Sequence, residues 1–237
     1  RVSYVTAADN GLDGIYAFGS RGGLIERSYA SGHPDSGIYI GQCKPCDAVV
    51  RDSIAELNAV GYEGTNASGG LYVITSIWRR NRVGMTPNTQ DYEKLAPQAD
   101  AVLAANLVAD NNEVAAPAQA SGGFGLGIAV GGGAANQMLA NRVVGNRSAG
   151  IVLTDLDGFV PERNQVRANV LERNGTDLAY YLDSAKAAPA AKANCFGGNT
   201  FATSSPPVIE AALPCDGAAN PNRPGSRPAL VAAPPGV

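Results

Sequence analysis

Four residues in the first third of the chain carry types suited to moving a proton beside a carboxylate. They are Tyr39, His33, Glu63 and Arg79, with His33 the single histidine in 237 residues. An arginine can neutralise a substrate carboxylate, and a tyrosine or histidine can take or give a proton. Glu63 can act as acid or base. This set is the expected catalytic centre. Tyr16, Phe18, Asn88 and Lys44 are expected to bind a ligand, because aromatic rings offer a flat apolar face and the others offer hydrogen bonds. Plainer readings exist for the same residues. His33 in Gly-His-Pro-Asp suits a turn, and Arg79-Arg80 suit solvated charges. Asp155 and Asp157 in Thr-Asp-Leu-Asp-Gly could attract Ca²⁺, but two carboxylates fall short of the six to eight oxygens calcium takes. No metal or other cofactor is therefore expected, calcium near those two aspartates being the one alternative.

The elements that must position these residues recur. A glycine followed by a short apolar strand appears at Gly14, Gly37, Gly61, Gly84, Gly127 and Gly150, at steps of 23, 24, 23, 43 and 23 residues. A second register aligns Leu24, Val49, Tyr72, Leu103, Met138 and Val166, with polar fourth members Arg27, Asp52, Thr75, Asn106, Asn141 and Asn169. Surplus residues fall in turn-rich stretches, at 87–97, 117–125 and 156–163, where a stack of coils tolerates insertion. The spacing predicts an all-β fold, a right-handed parallel β-helix: a single-stranded solenoid of about seven coils with a disulfide-pinned C-terminal cap. Alternation points Ile15, Ile38, Tyr62, Met85, Ile128 and Ile151 inward. Tyr16, Phe18, Tyr39, Glu63, Thr65, Thr86 and Asn88 then point outward. The asparagines are expected at αL turns, bonding from coil to coil. Leucine-rich repeats have a similar period, but their Leu-x-x-Leu-x-Leu frame is absent. The expected divisions are coils over 1–183, a cap over 184–215 with an Ala-rich helix or ordered loop at its start, and an extended Pro/Ala-rich tail over 216–237. Arg1-Val-Ser-Tyr-Val-Thr begins in strand-like sequence, so further coils are expected upstream, and an open coil edge invites self-association.

Hydrophobic residues make up 45% of the chain and charged ones 16%, with 29 glycines, a composition that buries a core. A net charge of −3 gives no basic field for nucleic acid. No stretch approaches a membrane span. Cys43 and Cys46 stand close together, and Cys195 and Cys215 are separated by 20 residues. Two disulfides fit these spacings better than zinc, whose second half would be another short-spaced pair, or than a redox motif outside a βαβ setting. Disulfides place the protein outside the cytoplasm, secreted or at the cell surface.

The repeated Gly-Ile-Tyr strand, the asparagines and the closing Asn194-Cys-Phe-Gly-Gly-Asn-Thr-Phe resemble secreted bacterial right-handed β-helix repeat proteins of the pectate-lyase-like superfamily. The resemblance covers about residues 1 to 215. It implies a polysaccharide or other glycan as partner, bound along one parallel sheet. Two functions follow from it. One is an extracellular module that binds glycan or builds a cell-surface or matrix assembly; the other is a polysaccharide lyase or C5-epimerase acting on acidic polysaccharide. The paired aspartates and Gly-His-Gly of polygalacturonase-like hydrolases are absent, as is the Asp-Pro-His of mannuronan epimerases. His33-Pro34-Asp35 has related composition in another order.

Overall fold

Short β-branched and aromatic runs, each too brief to bury a face alone, pair with the same run one coil later. In the computed structural model, which describes residues 1–118, 122–183, 194–216 and 223–235, this gives three parallel sheets of eight, seven and eight strands. The chain visits the three sheets in turn, for example Leu24–Glu26, Tyr29–Ser31 and then Ser36–Gly41. The result is a parallel β-helix of about eight turns. The repeat pattern predicts about seven; strands Cys195–Gly197 and Ser204–Ser205 supply another by extending the first and third sheets.

Inward residues stack in rows along each sheet. The third-sheet row is Ile15, Ile38, Tyr62, Met85, Ile128 and Ile151, as the glycine register predicts, and it continues to Leu178. The glycines of that register leave room for the next coil: a Cβ on Gly84 would stand 2.6 Å from the Gly127 carbonyl oxygen. In the second-sheet row Ala30 and Ala55 give way to Trp78, whose ring tilts against Tyr62 with centroids 5.8 Å apart.

The first-sheet register differs from the expected alignment by one residue. Tyr72 pairs with Val102, and Leu103 lies opposite Val73. The left-handed residues are Arg27, Asp52, Thr75, Ala105, Ala140 and Ala168, so each asparagine follows the αL position and does not occupy it. The polar ladder therefore runs Ser28, Ser53, Ser76, Asn106, Asn141, Asn169 and Asn199, each backbone N–H donating to the next side-chain oxygen. Glu210 ends it by accepting the Asn199 N–H at 2.8 Å. A further ladder runs through Asn58, Asn81, Asn111, Asn146 and Asn174 at another corner. These buried amides satisfy turn N–H groups that would each cost about 1–3 kcal/mol if left unpaired.

Both expected disulfides are formed, Cys43 to Cys46 and Cys195 to Cys215. The second holds the helix Ile209–Ala212, whose Ile209 and following Leu213 are buried in the core beneath the last coil. The Ala-rich stretch expected at 184–193 lies outside the described residues. The described tail, 223–235, is laid back along the coils. Gly225 N–H donates to Tyr180 O at 2.8 Å, Val231 N–H to Ser148 Oγ at 2.9 Å, and the buried Arg82 donates to the Pro234 and Pro235 carbonyls.

Candidate functional site

The outer face of the third sheet carries two rows, set by strand alternation and kept in line by parallel pairing. One row reads Tyr16, Tyr39, Glu63, Thr86, then Ala129, Val152 and Ala179. The neighbouring row reads Phe18, Gly41, then Thr65 opposite Asn88, then Gly131 and Thr154. Gly41 is a necessity here, because the Tyr39 ring folds over it and occupies the space of a Cβ.

At the first coils the aromatics form a platform. Tyr16 stacks on Tyr39 with centroids 4.8 Å apart and planes 23° apart, and on Phe18 at 6.0 Å and 11°. Tyr16 and Phe18 are 55% and 52% exposed, whereas Tyr39 is buried. The platform opens onto two hollows of about 290 and 400 Å³ that meet at Glu63, Gln90 and Tyr92. One wall is the insertion after Asn88. Asn66, buried and left-handed, pins it by donating to the Gln90 and Lys94 carbonyls at 2.9 and 3.2 Å while accepting the Gln90 N–H. Gln42 donates to Glu93 from the same wall. The other side is apolar, with Val60, Val83 and Leu126.

Glu63 is the chemical centre of this groove. Its Oε1 accepts from Thr65 Oγ1 at 3.2 Å and Asn88 Nδ2 at 3.0 Å, and its carboxyl is hydrogen-bonded to Asp35. Burial, then the charge of Asp35, pushes its pKa from 4.5 up to about 8, so that it carries a proton at neutral pH. Burial also pushes the Tyr39 phenol far above its ordinary value, with the Glu93 and Glu63 charges adding to the effect. Tyr39 thus keeps its proton at neutral pH. The Asn88 Oδ1, buried on the groove wall, has no hydrogen-bond partner among the described residues. The lining includes Asp13, Asp35, Glu63, Glu93, Asp155 and Asp157, and no lysine or arginine among the described residues.

Of the predicted catalytic set, the fold brings Tyr39 and Glu63 together and takes the other two elsewhere. His33 is fully buried at a corner, where its Nδ1 accepts the Asn10 N–H at 3.2 Å and its own N–H donates to Asn58 Oδ1. It holds an asparagine's place in a ladder. Arg79 belongs to the second sheet, in strand Ile77–Arg79, and its Nε donates to Glu56 at 2.7 Å. Among the expected ligand contacts, Tyr16, Phe18 and Asn88 lie on this face, while Lys44 is exposed in the turn beyond Gly41 and lines neither hollow. Asp155 accepts the Asp183 N–H at 2.6 Å and Asp157 accepts the Asp91 N–H at 3.4 Å. Among the described residues no group of three or more His, Cys, Asp or Glu side chains could hold a metal ion. Sequence reasoning missed the bond between Asp35 and Glu63, and the inward fold of the Gln90–Glu93 segment. Asp35 lies two residues before Gly37 and Glu63 two after Gly61, so the repeat register itself carried no signal for the first.

Three comparisons bear on this geometry. The family model described as right handed beta helix region matches residues 1–171. Among solved structures, the A-module of the mannuronan C-5 epimerase AlgE4 of Azotobacter vinelandii is similar, with a TM-score of 0.56 at 15% identity over 84% of this chain and 52% of that one. The AlgE6 A-module of the same organism gives 0.50 at 17% identity, over 86% and 56%. The chain thus spans about half the length of these modules, and at such identities the likeness is one of fold. Among curated proteins none matches the sequence.

Proposed function

The chain belongs to the right-handed β-helix family, and from that premise we propose that it is an extracellular module that binds a neutral glycan along the outer face of its third sheet. The observation that carries this reading is the stacked Tyr16–Tyr39–Phe18 platform, opening onto a groove lined by carboxyl, amide and hydroxyl groups and by no cation among the described residues. Aromatic faces take the C–H face of a sugar ring, and oxygen acceptors take its hydroxyls. A polyuronate meets like charge instead: at about 5 Å each carboxylate pair costs about 1–3 kcal/mol for effective dielectrics between water and a protein surface. Two disulfides support an extracellular setting, and no helix of the described residues is long and apolar enough to cross a membrane. The structural neighbours, named as mannuronan epimerases, support a polysaccharide as the ligand class.

A second reading, an acid–base enzyme acting on acidic polysaccharide, is favoured by Tyr39 standing beside a protonated Glu63. The lack of a cation in the lining tells against it. Calorimetric titration with cellohexaose, mannohexaose, xylohexaose, hexagalacturonate and hexamannuronate separates the two. The expected result is binding of at least one neutral hexasaccharide, weakened about 5- to 30-fold by Tyr16→Ala through loss of about 1–2 kcal/mol of ring contact. Binding of the acidic oligomers alone, or their conversion to unsaturated or C5-inverted product, overturns it.

A further inference from the structure

The returning tail is held to the coils at few points. None of residues 223–235 is buried, and Pro224, Pro228, Pro234 and Pro235 have no N–H to give to a ladder. Segments with so few buried contacts open locally before the coils unfold. The end of the tail is nevertheless tied to Arg82, a cation only 2% exposed. The Arg82 Nη2 donates to the Pro234 and Pro235 carbonyls, while Nε and Nη1 have no hydrogen-bond partner, so the tail supplies the guanidinium's only acceptors among the described residues. Two ties then lead from the tail to Phe124. The Arg82 guanidinium lies over the Phe124 ring, 5.5 Å from its centroid. The Val231 N–H donates at 2.9 Å to Ser148 Oγ, which itself donates to the Phe124 carbonyl at 2.6 Å. The neighbouring residues belong to the groove. Gly122 and Gly123 line the larger hollow with Glu63 and Val83, and Gly123 and Phe124 line a further hollow of about 290 Å³ against the tail. Gly122 and Gly123 stand at φ 79° and 97°, where glycine is unrestrained, so the ties on Phe124 fix where this rim sits.

We propose that residues 223–235 form a releasable strap, latched by Arg82, that holds the loop 122–125 in place as a rim of the larger hollow, so that docking of the tail and binding in the groove favour each other. The strap regulates the groove of the glycan reading given above and rests on that reading for its ligand. Arg82 is a positioning residue in this scheme: it lines neither hollow of the groove and acts through Phe124. With the tail docked, one hydroxyl, that of Ser148, joins tail to loop, and one guanidinium joins the last described prolines to the same aromatic ring. With the tail released, both ties are lost together and the rim is free to move. A sugar that needs the rim in place therefore binds the docked form better, and by linkage keeps the tail docked.

The test is amide hydrogen exchange followed by NMR on the full chain, first without ligand. The Val231 amide should exchange through a local opening that low urea concentrations do not accelerate, well ahead of the Ile151 amide, which donates to Asp177 O in the third sheet. Arg82→Met removes the latch and should speed Val231 exchange about 10- to 100-fold, the range for lost hydrogen bonds to a charged group. The Gly125 amide, which donates to the Arg82 carbonyl at 2.9 Å, reports the loop and should speed up as well. Val231→Pro breaks the other tie from the tail itself, should give the same Gly125 result, and serves if the Arg82 variant fails to fold. A saturating neutral hexasaccharide should then slow wild-type Val231 exchange about fivefold or more, whereas a tail that only stabilises the fold would open equally with or without sugar. Val231 exchanging no faster than Ile151, or Gly125 unchanged in the variants, overturns the strap. Unaltered Val231 exchange under a sugar that binds overturns its coupling to the groove and leaves the glycan reading standing. Failure of every neutral sugar to bind overturns the glycan reading, and the Gly125 result then decides the strap by itself.

Discussion

Replacing Glu63 by glutamine should alter how stability depends on pH, with a sign and size that follow from its surroundings. In the folded chain this carboxyl keeps its proton up to about pH 8, against 4.5 ordinarily. Between those values the folded state holds one more proton here than the unfolded chain. Stability contributed by this group is therefore complete below about pH 4.5, falls as pH rises toward 8, and levels off above it, at up to about 1.4 kcal/mol per pH unit. From about pH 5.5 to 7.5 the loss is on the order of 2–3 kcal/mol. Glutamine mimics the protonated acid: its oxygen accepts from Thr65 and Asn88, and its NH₂ donates to Asp35. The difference in unfolding free energy, variant minus wild type, should thus rise by on the order of 2–3 kcal/mol over that interval. Urea unfolding at closely spaced pH values, followed by far-ultraviolet circular dichroism, measures it. Asp35→Asn, which removes the neighbouring charge, should shrink the wild-type slope. Parallel wild-type and Glu63→Gln curves across the interval would refute the buried, protonated Glu63 on which the groove's chemistry depends.

Two other perturbations test the scaffold. Asn106 Oδ1 accepts the Ser76 N–H and the Trp78 indole N–H, and its Nδ2 donates to Val73 O and Asn141. Asn106→Ala should cost about 3–5 kcal/mol, as two buried donors lose their partner, and should appear as a lowered urea midpoint with an unchanged slope. Exchanging Cys195 and Cys215 together for serine opens a loop of 20 residues and should cost about 3 kcal/mol on the chain-entropy estimate, seen as a lower thermal midpoint that reductant shifts less than it shifts the wild type, only the short Cys43–Cys46 link remaining to be cut.

The inward third-sheet row was legible because glycine at a fixed offset pins the register, and a strand's period of two then assigns every side chain to a face. The first sheet lacked such a marker. Its early coils carry Ser28, Ser53 and Ser76 where later ones carry asparagine, and the preceding αL residues Arg27, Asp52 and Thr75 are polar enough to attract the alignment one place early. His33 was misleading for a similar reason. An imidazole fills one rung of a ladder otherwise made of asparagines, from Asn58 to Asn174, and residue type alone says catalyst where position says turn. Arg79 is expected near Glu63 from the turn before the third sheet, yet it ends a strand of the second sheet, and the sequence holds no local mark of which sheet faces which way. Composition identified the insertion after Asn88 as a loop, but its direction depends on Asn66, a residue from the previous coil, and contacts across coils are invisible to a local reading.

This division has a physical basis. Each coil repeats the same backbone, so folding constrains the inward rows and the corner amides and leaves the outward positions free to differ from coil to coil. Along the third sheet those positions change character abruptly. Tyr16, Tyr39, Glu63 and Thr86 are followed by Ala129, Val152 and Ala179, and the last two are buried in an apolar cluster with Leu126 and Tyr181. On the proposed reading, recognition is confined to about four coils, with the later coils, the cap and the returning tail as scaffold. Adjacent coils are spaced by about 4.8 Å, the strand separation within a sheet, which is close to the length of one sugar unit in an extended chain. A glycan lying across the strands would then meet about one outward residue per ring: stacking at Tyr16 and Tyr39, hydrogen bonding at Glu63 and Asn88. Any change in specificity would come from substituting those outward residues, at little expense to a core that faces the other way.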